Sequence, residues 1–325
     1  MAYFQGTFEE RCLTTGASQF LAFFTMSLSI LFLITSIPGN ILVVLAVVRD
    51  PYKNLRSPFN FLMTNLSVAD LIVGTIVCPL SIHYHLMEAQ KENISIIQIR
   101  VFHLSYFIAS TASVLSLASL AVERYAAIRF PHTYRNKLTG KRILCTIVLI
   151  WCISLSLPFV YLEVGFITYA FIFANTSVIV AIVITCFIYA LMVGKFRKRS
   201  RKDRDDSCTT TSDDSSEIVN SKRHKNPMSI NSDVDSVKKR KNAVRLEHTI
   251  TKMFLVVMAA VLVCYGPSTV LIYTMSFCET CSCVALHWCR DLQFLFVIMN
   301  SSLNFFCYAL RSPRFRQAFV LILKC

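Results

Sequence analysis

Charge is scarce in this chain. Only 16% of its 325 residues are Asp, Glu, Lys or Arg, against 54% hydrophobic, whereas a soluble domain of this size carries about a quarter charged and about half apolar residues. A single large soluble domain is therefore excluded as the first reading, and a membrane protein takes its place. No stretch carries the alternating pattern of a membrane β-barrel strand, which leaves a bundle of helices. There is no internal repeat and no Gly-rich nucleotide motif. Inside the apolar segments there is no acid pair, no metal-spaced set of histidines and no activated nucleophile, so an enzyme is not expected.

What the chain has instead is long uncharged runs. A helix needs about 20 apolar residues to cross about 30 Å of hydrocarbon. Such runs cover residues 12–48, 101–122, 143–162, 164–194, 253–278 and 292–310, and a seventh, 57–87, is broken only by Asp70. The fold class expected is an all-α membrane protein: a seven-transmembrane helix bundle over residues 19–310, after an extracellular N-terminus of residues 1–18. The first span has no basic region ahead of it and is far longer than a signal-peptide core, so it reads as an uncleaved helix.

Basic residues set the orientation. Of the 33 Lys and Arg residues, all but Arg11, Lys91, Arg100 and Arg290 fall on one side of the alternating loops. By the positive-inside rule that side, with the C-terminus, is cytosolic. The net charge of +14 is then a topology signal. Asp205, Asp206, Asp213, Asp214 and Glu217 dilute the basic third loop, and no nucleic-acid partner is expected. That loop is Ser-, Asp- and Lys-rich with almost no aromatic residue, so residues 197–243 read as disordered. Residues 311–325 read as an amphipathic helix on the inner leaflet, with Arg314 and Arg316 toward headgroups, Phe315, Phe319 and Leu321 as apolar anchors, and Cys325 as a lipidation candidate.

Polar residues inside the spans carry functional information, because a charge at mid-membrane is costly and persists only with partners. At about 1.5 Å of rise per residue, Asp70 lies roughly 18 Å from the cytosolic end of its helix, Asn40 roughly 14 Å, Ser113 and Asn300 roughly 16 Å, and Asn304 roughly 10 Å. With Ser301 they occupy one slab of the bundle. Two readings stand side by side: a water-filled packing cluster, or a site for a small hard cation, Na⁺, with Asp70 as its carboxylate ligand and hydroxyl and amide oxygens around it. No other cofactor is expected.

Several motifs, in order and at matching depth, resemble a known family. They are Gly39-Asn40 in span one, Leu66-Ser67-Val68-Ala69-Asp70 in span two, and Glu123-Arg124-Tyr125 closing span three with Pro131 soon after. Trp151 in span four, Cys264-Tyr265-Gly266-Pro267 in span six and Asn304-Phe305-Phe306-Cys307-Tyr308 in span seven complete the set. Together they look like the signature of rhodopsin-like (class A) G-protein-coupled receptors. The resemblance implies a receptor that binds an extracellular ligand at the plasma membrane and activates a heterotrimeric G protein. Arrestin and receptor kinases would act at the third cytosolic loop, with membrane lipid around the bundle. It implies that Arg124 is held by Glu123 and by Glu247, a latch at the G-protein-facing mouth, and that Tyr189 and Tyr308 rearrange behind it. A seven-helix transporter or pump is the alternative, and it would want a chain of titratable groups where Asp70 stands alone.

The departures from the family pattern are informative. Phe305 replaces a usual proline, Tyr265 a usual tryptophan, and Ala181 a common proline; losing two prolines implies straighter helices five and seven. Ile99 stands where a disulfide-forming cysteine is usual, and the loop over residues 163–170 has no cysteine. This missing bridge, the short second loop and a third loop reading Cys278-Glu-Thr-Cys281-Ser-Cys283 are most similar to the melanocortin, adenosine and lipid receptor branch. With Cys12 and Cys289 there are five outer thiols; disulfides are expected, their pairing is open, and a zinc site on the CxxCxC spacing is the rival. The helix-three position that is an acid in amine receptors is Tyr106, which disfavours an amine. The pocket expected from the resemblance is His103, Tyr106, Phe107, Ser110, Tyr265, Ser268, Thr269 and Phe294, an aromatic, nearly uncharged lining that suits a lipid or neutral ligand. His103 reads first as a packed, hydrogen-bonded residue.

Overall fold

The computed structural model describes residue 12 and residues 16–53, 55–130, 140–212, 252 and 254–324. Eight helices are found among them. They are α1 (Gln19–Arg49), α2 (Pro58–Gln90), α3 (Ile96–Arg129), α4 (Gly140–Val164), α5 (Phe166–Ser212), α6 (Phe254–Phe277), α7 (Cys283–Arg311) and α8 (Pro313–Lys324). The first six are each long and apolar enough to cross a membrane, and α7, with 29 residues, is of comparable length. The expected all-α bundle is what forms.

Local chemistry starts and stops these helices. Ser18, Ser57 and Ser95 each turn a side-chain oxygen back to a free amide of the first turn, and Gln98 completes a capping box at α3. Pro58 sits just inside the start of α2, where its missing N–H is no loss. At the far ends, Asp50 closes α1 and Lys91 closes α2 in the left-handed conformation. Two irregularities sit inside spans. A π turn over Val73–Val77 bulges α2 just outward of Asp70, and Pro158 tightens α4 into a 3₁₀ turn over Leu157–Val160.

The lipid-facing surface is apolar in a way no water-soluble protein tolerates: Leu31, Ile34, Val122, Leu144, Ile179, Val183, Val263 and Val270 are all exposed. The interior is rich in small hydroxyls, among them Thr25, Ser29, Ser36, Ser81 and Ser116, which let helices approach and hydrogen-bond across the interface. Ser29 meets Ser81 at 3.0 Å between α1 and α2. One chain of bonds joins three helices: the Trp151 indole donates to Asn65 Oδ1 at 2.9 Å, and Asn65 Nδ2 donates to Ser116 Oγ at 2.8 Å.

A single residue, Gly165, separates α4 from α5. Its φ of 84° and ψ of 164° lie in a region open essentially to glycine alone. At the other end α5 runs to Ser212, into the stretch expected to be disordered from residue 197. The reason is compositional, since Lys and Arg are good helix formers that propagate a helix already nucleated in the membrane. Residues 213–250, with most of the expected disordered loop, lie outside the described residues.

Helix α8 forms as expected, but its aromatic anchors point differently. Phe315 and Phe319 are buried against the bundle, the Phe319 ring packing tilted at 5.6 Å from Phe305, while Val320, Leu321 and Leu323 face outward. Two disulfides close the outer side: Cys12–Cys283 and Cys278–Cys281. Cys289 keeps a free thiol, and the zinc alternative for this cysteine set gives way to the bridges.

Candidate functional site

Three polar layers are stacked through the bundle. The innermost is the charged pair at the end of α3. Both Arg124 Nε and Nη2 donate to the Glu123 carboxylate, and the guanidinium lies 4.4 Å from the centre of the Phe59 ring on α2. Each of the two residues is only 3% exposed. A pair so far out of water holds a defined geometry, and removing one partner leaves an uncompensated charge. Tyr125 packs against Phe187 of α5 at 5.3 Å. Glu247 lies outside the described residues. Tyr189 and Tyr308 fall within α5 and α7, but their side chains are also outside the description.

The middle layer is built around Asp70, which is fully buried. Asn304 Nδ2 donates to Asp70 Oδ2 at 2.8 Å, and Ser36 Oγ donates to the Asp70 backbone carbonyl. Asn40 Nδ2 reaches the Ser301 carbonyl at 3.1 Å, tying α1 to α7. Five buried oxygens of this slab have no protein partner: Asn40 Oδ1, Asp70 Oδ1, Ser113 Oγ, Asn300 Oδ1 and Asn304 Oδ1. A donor set of one carboxylate, one hydroxyl and amide carbonyls suits a hard cation or bridging water. These bonds bring Asp70, Asn40, Ser301 and Asn304 together.

The outer layer is a cavity among α2, α3, α5 and α7, walled by Tyr84, His85, Phe102, His103, Tyr106, Phe166, Arg290, Asp291 and Phe294. Its floor is Tyr106, whose hydroxyl accepts from Gln293 Nε2 at 2.8 Å, with Phe102 and Phe294 5.2 Å apart above it. His103 is indeed packed and bonded: its Nδ1 pairs with the Tyr161 hydroxyl at 3.1 Å, and its ring stacks 4.3 Å from Phe166. Phe107 lies behind this wall, 5.1 Å from Tyr106. The remaining expected pocket residues do not line the cavity. Ser110, Tyr265 and Ser268 are buried elsewhere in the bundle, and Thr269 turns its hydroxyl to the Tyr265 carbonyl of its own helix; Pro267, expected in the activation switch, is exposed on α6.

The expectation of a nearly uncharged lining is corrected here. Glu88, Asp291, Arg290 and His85 form a compact charged cluster on one wall. Arg290 Nε donates to Asp291 Oδ1 at 2.7 Å, Arg290 Nη2 bonds both Glu88 oxygens at 3.0 and 3.1 Å, and Arg290 Nη1 reaches the Tyr84 hydroxyl. Thr25 of α1 donates to Asp291 Oδ2. Counting charge runs hid this group, because the run 292–310 stops at Asp291 and so left Arg290 and Asp291 to a loop. In fact α7 begins at Cys283, about two turns earlier.

Comparison with known proteins agrees with the motif reading. The family described as 7 transmembrane receptor (rhodopsin family) matches residues 39–308. Relatives include dopamine receptor 4 of Caenorhabditis elegans, 38% identical over 126 residues, which are 38% of this chain and 23% of the relative. Tyramine receptor 1 of Locusta migratoria is 40% identical over 129 residues, 40% of this chain and 26% of the relative. The human histamine H2 receptor is 32% identical over 160 residues, 49% of this chain and 43% of the relative. The matches thus span under half the length of these proteins. They do not support the melanocortin, adenosine and lipid branch, which had rested on the missing bridge, the short second loop, the absent helix-five proline and the cysteine-rich third loop. The chain belongs to the rhodopsin family of seven-transmembrane receptors.

Proposed function

We propose that this chain is a multi-pass plasma-membrane receptor, N-terminus outside, that binds a small extracellular amine and activates heterotrimeric G proteins at its cytosolic face. Arrestin and receptor kinases then act on the third cytosolic loop. The observation that carries the ligand class is the cavity wall, where Asp291 and Arg290 line the space and Glu88 bonds Arg290 from outside the lining, two carboxylates against one guanidinium. His85 aside, that leaves a net negative charge beside the faces of Tyr84, Phe102, Tyr106 and Phe294, a combination that attracts an organic cation. The amine names of the relatives point the same way. Tyr106 stands where an acid would hold the amine from helix three, so here the cation is held by ring faces and by the field of the α2–α7 wall. A neutral lipid gains nothing from buried charge.

Within this reading, the five unpartnered oxygens around Asp70 supply a Na⁺ site that biases the bundle toward its inactive form, and Arg124 is the group that meets the G protein. The test is a G-protein dissociation assay in cells, with dopamine, tyramine, octopamine, histamine and a lipid library applied in turn, and Arg124→Ala at matched surface expression as the silent control. Activation by an amine supports the reading. A response to lipids with none to amines overturns the ligand class.

A further inference from the structure

The charged wall of the outer cavity does more than set a field. Two of its carboxylate oxygens converge on a third group of different chemistry. His85 Nδ1 lies 3.0 Å from Glu88 Oε2 and 3.9 Å from Asp291 Oδ2, and the three ligand-competent atoms all lie within 4.8 Å of one another. Zinc binds imidazole nitrogen and carboxylate oxygen at about 2.0–2.2 Å, so neighbouring donors around a tetrahedral ion stand about 3.4 Å apart. The two shorter separations bracket that value.

The donors are also held in place, as the supporting groups of a metal centre usually hold them. The His85 ring is fixed edge-on to Tyr84 at 5.0 Å and is buried, at 2% exposure. Arg290 holds the Asp291 carboxylate through Oδ1 and Thr25 bonds Oδ2, while Arg290 also grips Glu88. Each carboxylate keeps lone pairs free for a second interaction. His85 and Asp291 both border the outer cavity, which gives an ion a way in and leaves room for a water as fourth ligand. The charge balance is tolerable. Two carboxylates and one guanidinium leave −1, and a divalent ion makes it +1, a smaller excess than the ion would bring to a neutral set of ligands. The mixture of one imidazole and two carboxylates favours zinc and its first-row neighbours over calcium or magnesium, which want oxygen alone.

We propose that His85, Glu88 and Asp291 form a zinc-class metal site on the outer rim, joining α2 to α7 beside the ligand cavity. It is distinct from the amine reading and opposes it where the ion is bound, because a divalent ion cancels the negative field of the same carboxylates; the ion alone is the probe. The experiment is calorimetric titration of the purified full-length receptor with zinc chloride after treatment with chelator. The expected result is one saturable site whose affinity falls at least tenfold in His85→Ala and in Asp291→Asn, and is unchanged in His83→Ala and Cys289→Ser. Because Asp291 also anchors Arg290, zinc K-edge absorption on the unmodified protein is measured alongside. It should show a first shell of nitrogen and oxygen with one imidazole and no sulfur. Absence of a site in the unmodified receptor, binding that survives His85→Ala, or a shell containing sulfur overturns the assignment, the first of these leaving His85 as a hydrogen-bond donor to Glu88.

Discussion

Replacing Gly39 by alanine should loosen the receptor where α1 meets α7. A Cβ built at Gly39 would lie 2.6 Å from Phe305 Cγ, 2.8 Å from Cδ1 and 2.9 Å from Cβ, all closer than carbon atoms approach without strain. Phe305 cannot swing its ring aside, because its own Cβ is among the atoms struck. The helices must therefore part by a few tenths of an ångström or more, and the adjacent bond from Asn40 to the Ser301 carbonyl, now 3.1 Å, lengthens with them. Overpacking of this kind costs about 1–3 kcal/mol, offset by up to about 1 kcal/mol from the better helix propensity of alanine. A net loss of about 1–2 kcal/mol should lower the melting midpoint of the purified receptor by a few degrees. Phe305→Ala removes the obstruction, so in that background Gly39→Ala should cost nothing, and the double-mutant cycle reads the contact directly. If Gly39→Ala alone melts at or above the unmodified protein, the close approach of α1 to Phe305 is not what stabilises this face.

Other tests address each layer. Sodium chloride should raise the melting midpoint of the unmodified receptor relative to choline chloride, because an ion bound only to the folded state stabilises it; Asp70→Asn should abolish the difference, and no sodium effect at all would leave water as the occupant of the slab. Trp151→Phe leaves Asn65 Oδ1 buried without its donor and should cost about 1–3 kcal/mol, measured as a lower denaturation midpoint; an unchanged midpoint would show that water replaces the indole. Peptide mapping of the unreduced, alkylated protein should recover Cys12 joined to Cys283 and Cys278 joined to Cys281, with Cys289 alkylated; any other pairing contradicts the outer architecture.

The bundle was legible because membrane helices declare themselves by length and lack of charge, and because each polar residue within a span needs a partner. Asp70 and Asn304 are bonded to each other, and Asn40 to Ser301, for that reason. The cavity wall was not legible from the same rule. Counting uncharged runs places a helix boundary at its first charge, yet Glu88 and Arg290–Asp291 lie inside α2 and α7 and neutralise one another across the interface. A salt bridge between residues 202 positions apart has no local signal. Neither has the close contact of Gly39 with Phe305, which depends on how two helices turn toward each other, nor the choice among five thiols. The expected lining of aromatic, nearly uncharged residues missed Arg290 and Asp291 for the same reason, since both were assigned to a loop outside the last span.

Gly165 has a kinetic consequence. With one residue between α4 and α5, the second outer segment is too short to fold over the cavity, and the wall it would have covered is sealed from the side by His103, Tyr161 and Phe166 instead. That segment then supplies no flap for a ligand to wait on, so lengthening it with a flexible insert after Gly165 should slow the decay of the signal on washout.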